Sequence, residues 1–161
     1  MKTSWPLWAA LATTAAVYGA MALGPLPVLT VGVGRLPDMR PFGYDAAGVT
    51  AYLNAIGSHG RDIYLTRQLP LDVFLPGLLC LSLILIWRRL APRFAPVLIA
   101  VALMAAAADY IENAALWRVI GAGEMGWVPL ASKMTGLKWA ALSISFAAVV
   151  WMLAARVWRR A

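Results

Sequence analysis

Four long runs of apolar residues, separated by segments that are richer in polar residues, dominate the pattern of this chain. The runs cover residues 5–24, 71–87, 97–117 and 131–155. An α-helix rises 1.5 Å per residue, so about 20 residues cross ~30 Å of hydrocarbon, which is close to the length of each run. None of the runs shows the two-residue alternation of a membrane β-barrel strand. The pattern therefore predicts a single all-α domain, residues 1–161, that forms an integral membrane four-helix bundle.

The first run permits a second interpretation, a cleaved signal peptide. Lys2 precedes the run, and Ala20-Met21-Ala22 near its end resembles a small-residue cleavage site. Against cleavage stand the single basic residue before the run, the Trp5-Pro6 pair at its start, and a length sufficient to span a membrane. We therefore expect an uncleaved first span.

The long connection between the first two spans, residues 25–70, predicts a structured outer loop. Residues 25–42 contain several glycines and prolines and are predicted to be irregular. Asp45 can then cap a short helix that ends at Gly57. The apolar face of this helix recurs at i, i+3, i+4 and i+7, with Val49, Tyr52, Leu53 and Ile56.

A second stretch of the loop, residues 60–69, leads to Pro70, which should interrupt the helix just before the second span. A long connection with its own helices is usually functional rather than a spacer. It can form a lid over the outer ends of the bundle. Alternatively, it can rest on the membrane surface as an amphipathic hairpin.

Composition excludes several classes of function. Apolar residues make up 62% of the chain and charged residues 13%, more apolar surface than a water-soluble domain of this size can bury. The single Cys80 and the single His59 exclude a disulfide scaffold, a thiolate metal cage and a histidine-rich metal site. No glycine-rich phosphate loop is present. We therefore expect no metal and no cofactor.

The net charge of +7 does not indicate nucleic acid, because the spans divide the basic residues between two sides. Arginines crowd the short connection between the second and third spans and the end of the chain. This side carries Lys2, Arg88, Arg89, Arg93, Arg156, Arg159 and Arg160. Basic residues near short loops favour the cytoplasmic side, so we expect both termini in the cytoplasm. Membrane lipids are the expected partners, and a homo-oligomer is a further expectation.

Ionisable residues inside the spans are the most informative feature. A charge near the bilayer centre costs at least ~2.5–3.5 kcal/mol, so it requires a partner, water or a function. Asp109, Glu112 and Asn113 stand at i, i+3 and i+4 and share one face of the third span. Asp72 begins the second span, while Lys133 and Lys138 lie in the outer part of the fourth. All six lie at a similar depth, so we expect a shared polar pocket beneath the loop.

Three interpretations of this pocket remain open. In the structural one, Asp72, Asp109 and Glu112 pair with Lys133, Lys138 and Arg118 and hold the helices of an assembly subunit in register. In the functional one, the chain binds or converts a lipid or an amphiphilic small molecule by acid–base chemistry. In the third, an oligomer of the chain is a proton-coupled transporter.

The functional interpretation assigns a role to each candidate residue. Asp109 and Glu112 would be the acid–base pair, with Asp72 as a third catalytic carboxylate. Lys138 would hold an anionic group or stabilise developing negative charge, and Asn113 would orient the substrate. Lys133 and the loop residues Tyr64 and Arg61 are further candidates for substrate binding.

Several motifs carry a resemblance to a known group of proteins. They are Gly43-Tyr44, Tyr52-Leu53, Gly57, Gly60-Arg61, Tyr64, Asp72-x-Phe74, Pro76 and Asp109-x-x-Glu112-Asn113. This pattern, between residues 43 and 113, resembles an uncharacterised family of small bacterial four-helix membrane proteins. The resemblance implies a multi-pass protein of the bacterial inner membrane and no particular activity.

The architecture also resembles the sterol-isomerase-like superfamily that includes the emopamil-binding protein. The shared features are four helices, a long first loop and carboxylates buried in the bundle. That superfamily relies on an acidic residue in the second span, whose place Asp72 approximates. The histidine expected in its spans has no counterpart here. The resemblance therefore implies an architecture and not sterol isomerisation.

Overall fold

The computed structural model describes residues 4–30, 32, 34–91 and 93–158, and within these ranges the chain is helical with no β-strand. Its helices are α1 (Trp5–Leu23), α2 (Pro25–Thr30), α3 (Ala46–Ile63), α4 (Leu69–Leu90), α5 (Ala95–Ala122) and α6 (Val128–Trp158). Two 3-10 turns, Pro37–Met39 and Met125–Trp127, lie in the connections, and a π-helical turn, Tyr64–Gln68, joins α3 to α4.

Four helical segments are long and apolar enough to cross a membrane. They are Trp5–Leu23, Ala46–Leu90, Ala95–Ala122 and Met125–Trp158. Their outer faces expose large apolar side chains, including Trp8, Phe74, Trp117, Phe146 and Trp151, which suits contact with hydrocarbon better than contact with water. The predicted all-α architecture with four spans is confirmed.

The long helices pack in chain order, α1 against α4, α4 against α5 and α5 against α6. Both α4 and α6 pack on α5, but they make little contact with each other, so a space opens between them beside α5. We call the end that carries residues 25–68 the loop end, and the opposite end, where α4 finishes and α5 begins, the terminal end.

Two apolar cores lie on either side of a polar layer. The loop-end core combines residues of the long connection, such as Leu36 and Tyr52, with Leu116 of α5. The terminal-end core is built around Trp87 and Ala102. Between them, α4 and α5 place their buried polar side chains. The fold thus encloses a polar site between apolar layers.

The predicted start of the loop helix is confirmed. The Gly48 N–H donates to Asp45 Oδ1 at 2.7 Å, which is the cap expected at the N-terminus of α3. Gly57 has φ 64°, a value that glycine adopts without steric cost, and it kinks the helix. Val49, Tyr52 and Leu53 are buried in the protein. This apolar face therefore packs in the loop-end core, and we call residues 25–68 the lid.

Two predictions about the loop are wrong. Residues 25–30 are not irregular but form α2, because Pro25 and Pro27 lie in its first turn, where a helix needs no N–H donor. Pro70 does not interrupt the helix, since it lies in the first turn of α4 and the π turn Tyr64–Gln68 joins α3 to α4 without a break. The Leu69 N–H bonds Tyr64 O in a widened π turn, which accommodates the proline in the first turn of α4.

The basic residues used for the topology prediction are only partly described. Lys2, Arg159 and Arg160 lie outside the described residues. Arg89 and Arg156 meet at the terminal end, where Arg156 Nη2 donates to the Arg89 carbonyl oxygen at 3.2 Å. Which end faces the cytoplasm stays a prediction.

Candidate functional site

A buried ammonium group between two carboxylates forms the centre of the polar layer. Lys138 of α6 donates from Nζ to Asp109 Oδ1 at 3.1 Å and also contacts Glu112 Oε2. The side chains of Lys138, Asp109 and Glu112 are 8%, 12% and 0% exposed. Asp109 and Glu112 reach the same nitrogen because they are three residues apart on α5, on one face of the helix. One lysine therefore neutralises at most one of two adjacent carboxylates.

Asp72 and Asn113 join α4 to this centre. Asn113 Nδ2 donates to the Asp72 carbonyl oxygen at 3.2 Å, which connects α5 to α4. Both side chains are buried. The Asp72 carboxyl interacts electrostatically with Asp109, Glu112 and Lys138. The structure thus brings together five predicted residues from three helices.

A fourth carboxyl group, Asp38, enters the site from the lid. It lies in the 3-10 turn Pro37–Met39 and is only 6% exposed. Its Oδ1 has no hydrogen-bond partner among the described residues. Burial raises the pKa of the Asp38 carboxyl; the Lys138 charge opposes this effect and the Asp109 charge adds to it. Trp139 Nε1 holds the turn by donating to the Asp38 carbonyl oxygen at 2.9 Å.

Sequence reasoning missed Asp38 because it lies in an irregular segment without periodicity. The one available signal was its apolar setting, between Leu36-Pro37 and Met39. An isolated aspartate among apolar loop residues is a weak indication of burial, since loops usually expose such groups.

Two hydroxyl groups extend the site from Glu112 toward the lid. Thr135 Oγ1 of α6 donates to Glu112 Oε1 and lies 3.2 Å from the Tyr44 hydroxyl oxygen. Thr135 is fully buried, whereas Tyr44 is half-buried at the loop end. Burial raises the pKa of the Tyr44 phenol, so this group stays protonated at neutral pH. Neither residue was predicted as part of the site.

The backbone next to Tyr44 fixes the lid to α6. The Tyr44 N–H donates to Ser132 Oγ at 2.8 Å. Gly43 precedes it with φ 90°, and a Cβ atom at this position would lie 2.9 Å from Ser132 Oγ. Glycine is therefore required here both for the backbone conformation and for the close approach of the hydroxyl.

Two of the predicted binding residues lie elsewhere. Lys133 is exposed. It stands five residues before Lys138, which places the two side chains about 140° apart around a helix of 3.6 residues per turn. Arg61 donates from Nε to the Leu53 carbonyl oxygen at 3.3 Å, within the lid. Among the described contacts, neither Lys133 nor Arg61 joins the buried carboxylates, and a role for either residue in substrate binding stays a prediction.

Tyr64 is buried and interacts electrostatically with Asp38 and Asp72, so it borders the site at the loop end. Gln68 follows it by four residues and is 1% exposed, and neither of its amide atoms has a hydrogen-bond partner among the described residues. Asn113 Oδ1 is also without one. The wall of the site near the lid thus carries polar atoms that the described residues leave unsatisfied.

The charges of the site do not balance. Asp38, Asp72, Asp109 and Glu112 supply four buried carboxyl groups, and Lys138 is the one buried lysine or arginine among the described residues. The structural interpretation also required Arg118, but that residue pairs with Glu124 at 3.4 Å in a half-exposed contact. Because buried charges need compensation, protons or a bound cation must balance the remaining carboxyl groups.

A narrow groove adjoins Asp109, where α4 and α6 separate over α5. Its polar end is Asp109, and its other lining residues are Pro76, Leu79, Cys80, Leu83, Ala102, Ala105, Ala106 and Leu142. The cavity volume of the groove is about 10 Å³, roughly the room for one water molecule. Within the described residues, no three histidine, cysteine or acidic side chains are arranged to hold a metal ion.

Comparisons with protein-family models, with curated proteins and with solved structures give no significant match. The resemblances that the motifs indicate therefore stay predictions.

Proposed function

We propose that this chain is a multi-pass protein of the bacterial inner membrane whose polar site binds a lipid or an amphiphilic small molecule and acts on it by acid–base chemistry. The observation that carries the proposal is the surplus of carboxyl groups, four against one buried ammonium among the described residues. A site that only fixed helix packing would need no such surplus, because unpaired buried charges are costly.

Asp109 is the residue best placed for proton exchange with a substrate. It is the charged residue that lines the apolar groove, so an apolar tail beside Leu79 and Leu83 would bring its polar head to this carboxyl. Glu112 would be the second acid–base group. Lys138 contacts both and would stabilise negative charge that develops during a proton transfer.

The remaining groups would bind and enclose the polar head. Asn113 Oδ1 and Asp38 Oδ1 have no hydrogen-bond partner among the described residues and can accept hydrogen bonds from a ligand. Asp38 comes from the lid, which would exclude water from the reacting groups. The pocket is small as it stands, so we expect the lid or α6 to move when a ligand enters.

The test is purification from native membranes followed by mass spectrometry of co-purified lipids and metabolites. We expect an enriched amphiphile in the wild type that is lost in Asp109→Asn. The matched control is Asp62→Asn, which makes the same chemical change at an exposed position of α3. If wild type and both variants carry the same lipids in the same amounts, the proposed binding function is wrong.

A structural role is the second candidate, because the polar contacts also connect the helices. Lys138 joins α6 to α5, and Asn113 joins α5 to α4. In α1 only Ala10 and Met21 are buried, which leaves most of this helix available to lipid or to another subunit. The two candidates differ in how the stability of the protein responds when a carboxylate is neutralised.

A further inference from the structure

We propose that Tyr44, Thr135, Glu112 and Lys138 form a relay that carries protons between water at the loop end and Asp109 in the apolar groove. The inference deepens the proposed function, because it assigns the route by which the acid–base group of that site is recharged. It names two positioning residues, Tyr44 and Thr135, that lie outside the carboxylate cluster.

The contacts of the relay are continuous. Thr135 Oγ1 donates to the Tyr44 hydroxyl oxygen at 3.2 Å and also to Glu112 Oε1, so a transfer toward Glu112 requires the Tyr44 phenol to turn its own proton toward Thr135. The other oxygen of that carboxyl contacts the Lys138 ammonium, which donates to Asp109 Oδ1 at 3.1 Å. Each step joins a donor to an acceptor within hydrogen-bond reach, the geometry that proton transfer requires.

The two ends of the relay lie in different surroundings. Tyr44 is half-buried in the lid, next to the exposed residues Asp45 and Phe42. Thr135 and Glu112 are fully buried, and Lys138 is nearly so. The relay therefore begins near the surface of the loop end and finishes at an apolar groove.

No comparable route leads from Asp109 to the terminal end through the described residues. The core there consists mainly of apolar side chains around Trp87 and Leu83. Trp87 Nε1 in this core and the buried Ser145 Oγ of α6 make no hydrogen bond among the described residues. The Ser82 hydroxyl group shares a hydrogen bond with Thr14 of α1, at 3.2 Å between the oxygens, which leads away from Asp109 toward α1. Proton access to Asp109 is thus expected from the loop end alone.

The proton transfers balance without any further reagent. A proton from water binds the Tyr44 oxygen as the phenol passes its own proton to Thr135, and Thr135 passes its hydroxyl proton to the Glu112 carboxylate. The Glu112 carboxyl group then rotates so that its new proton faces Lys138, and it protonates Lys138 as the ammonium gives a proton to Asp109. One proton has left the water and reached Asp109, and each intermediate group has regained its starting charge.

The raised pKa of Tyr44 suits this role, because the phenol returns to its neutral, protonated form after each transfer. Thr135 has an alternative acceptor, the Ala131 carbonyl oxygen at 3.0 Å, toward which its hydroxyl can turn between transfers. The charged or titratable groups around Asp109 are Lys138 of α6, Glu112 of α5, Asp72 and Cys80 of α4, and Asp38 of the lid.

An apolar carbodiimide in proteoliposomes tests the relay without a substrate. The reagent partitions into the bilayer and adds to a protonated carboxyl group, so labelling of Asp109, read by peptide mass spectrometry, reports its proton occupancy. The pH is set independently on the two sides of vesicles of uniform orientation. We expect acid on the loop side to increase Asp109 labelling severalfold and acid on the terminal side to have little effect.

Tyr44→Phe and Thr135→Val remove one hydroxyl group each while keeping the side-chain shape. In both variants, Asp109 labelling with acid on the loop side divided by labelling with acid on the terminal side should fall to about one. Without the relay, protons reach Asp109 only slowly, and equally from either side. Equal labelling of variants and wild type at uniform acidic pH shows that the variants are folded. Ser132→Ala is the control, since it loosens the lid anchor but leaves the relay hydroxyls in place.

A ratio near one in the wild type, a ratio unchanged in both variants, or no labelling of Asp109 would each overturn the relay. The measurement is independent of any bound amphiphile. A relay can therefore be found where no ligand co-purifies, and a ligand can be found where labelling shows no side preference, so the two proposals fail separately.

Discussion

Replacing Lys138 with Met should destabilise this protein far more than neutralising either carboxylate that it contacts. Lys138 lies 3.1 Å from Asp109 and touches Glu112, and none of the three side chains is more than 12% exposed. Its removal leaves all four carboxyl groups of the site without an ammonium. Removing one partner of a buried ion pair costs about 3–5 kcal/mol of unfolding free energy, and we expect a loss of this size.

Glu112→Gln should have a much smaller effect, because two contributions oppose each other. The variant loses a charge-assisted contact worth about 1.5–3 kcal/mol. It also removes a repulsion, since Asp109 Oδ1 and Glu112 Oε2 lie 3.1 and 2.5 Å from the same nitrogen and thus less than about 6 Å apart. At an effective dielectric constant of ~20, two charges at that distance repel by about 3 kcal/mol. The net change should stay within about 1 kcal/mol of zero.

The assay is reversible unfolding in mixed micelles, followed by circular dichroism, for Lys138→Met, Glu112→Gln and Asp109→Asn. Lys133→Met is the matched control, because it makes the same substitution at an exposed position of α6. The carboxyl surplus predicts a large loss for Lys138→Met alone. If Glu112→Gln and Asp109→Asn each cost as much as Lys138→Met, the site is a paired scaffold and the acid–base proposal loses its main support.

Three further predictions use other parts of the fold. Burial raises the pKa of the Asp38 carboxyl group above its ordinary value of 3.8. The protonated Asp38 therefore stabilises the folded protein fully below pH 3.8, and this stabilisation is lost as the pH rises through the raised pKa. Asp38→Asn should therefore increase the melting temperature at neutral pH but not in acid, whereas the exposed Asp62→Asn should leave the whole curve unchanged. Gly43→Ala, which adds a Cβ atom 2.9 Å from Ser132 Oγ at φ 90°, should cost about 1–3 kcal/mol and accelerate hydrogen exchange in the lid; unchanged exchange would contradict the lid anchor. An alkaline phosphatase fused after Ala161 should be inactive, because we expect the C-terminus in the cytoplasm; activity would reverse the topology.

The architecture of this protein was predictable because its signals are local. A run of about 20 apolar residues must form a helix to cross a bilayer, whatever surrounds it, since every backbone N–H and C=O group must be satisfied within the segment. The cap at Asp45 depends likewise on a few adjacent residues and was found where the sequence indicated it, whereas Gly57, the predicted end of the loop helix, is a kink within α3. Proline was less informative. Pro25 lies in the first turn of α2, in a segment that was expected to be irregular, and Pro70 lies in the first turn of α4, where it was expected to interrupt the helix.

Only some residues of the site could be predicted from the sequence. Asp109, Glu112 and Asn113 could be grouped because helical spacing puts them on one face of α5. The choice between Lys133 and Lys138 could not be made from depth alone. Both lysines lie near the loop end of α6, and only the rotation of that helix about its axis decides which one faces α5. That rotation follows from packing against neighbouring helices and not from the α6 sequence by itself.

Asp38, Tyr44 and Thr135 depended wholly on the tertiary structure. Asp38 and Tyr44 lie in a connection without periodicity, and they reach α6 only because the lid folds back and is held by Trp139 and Ser132. The amino-acid sequence thus determined four spans and placed carboxylates within them, since these depend on length, hydropathy and helical period. The tertiary structure alone decided that two carboxyl groups contact one ammonium and that two more are buried near it, because charge balance depends on which side chains the packing brings together.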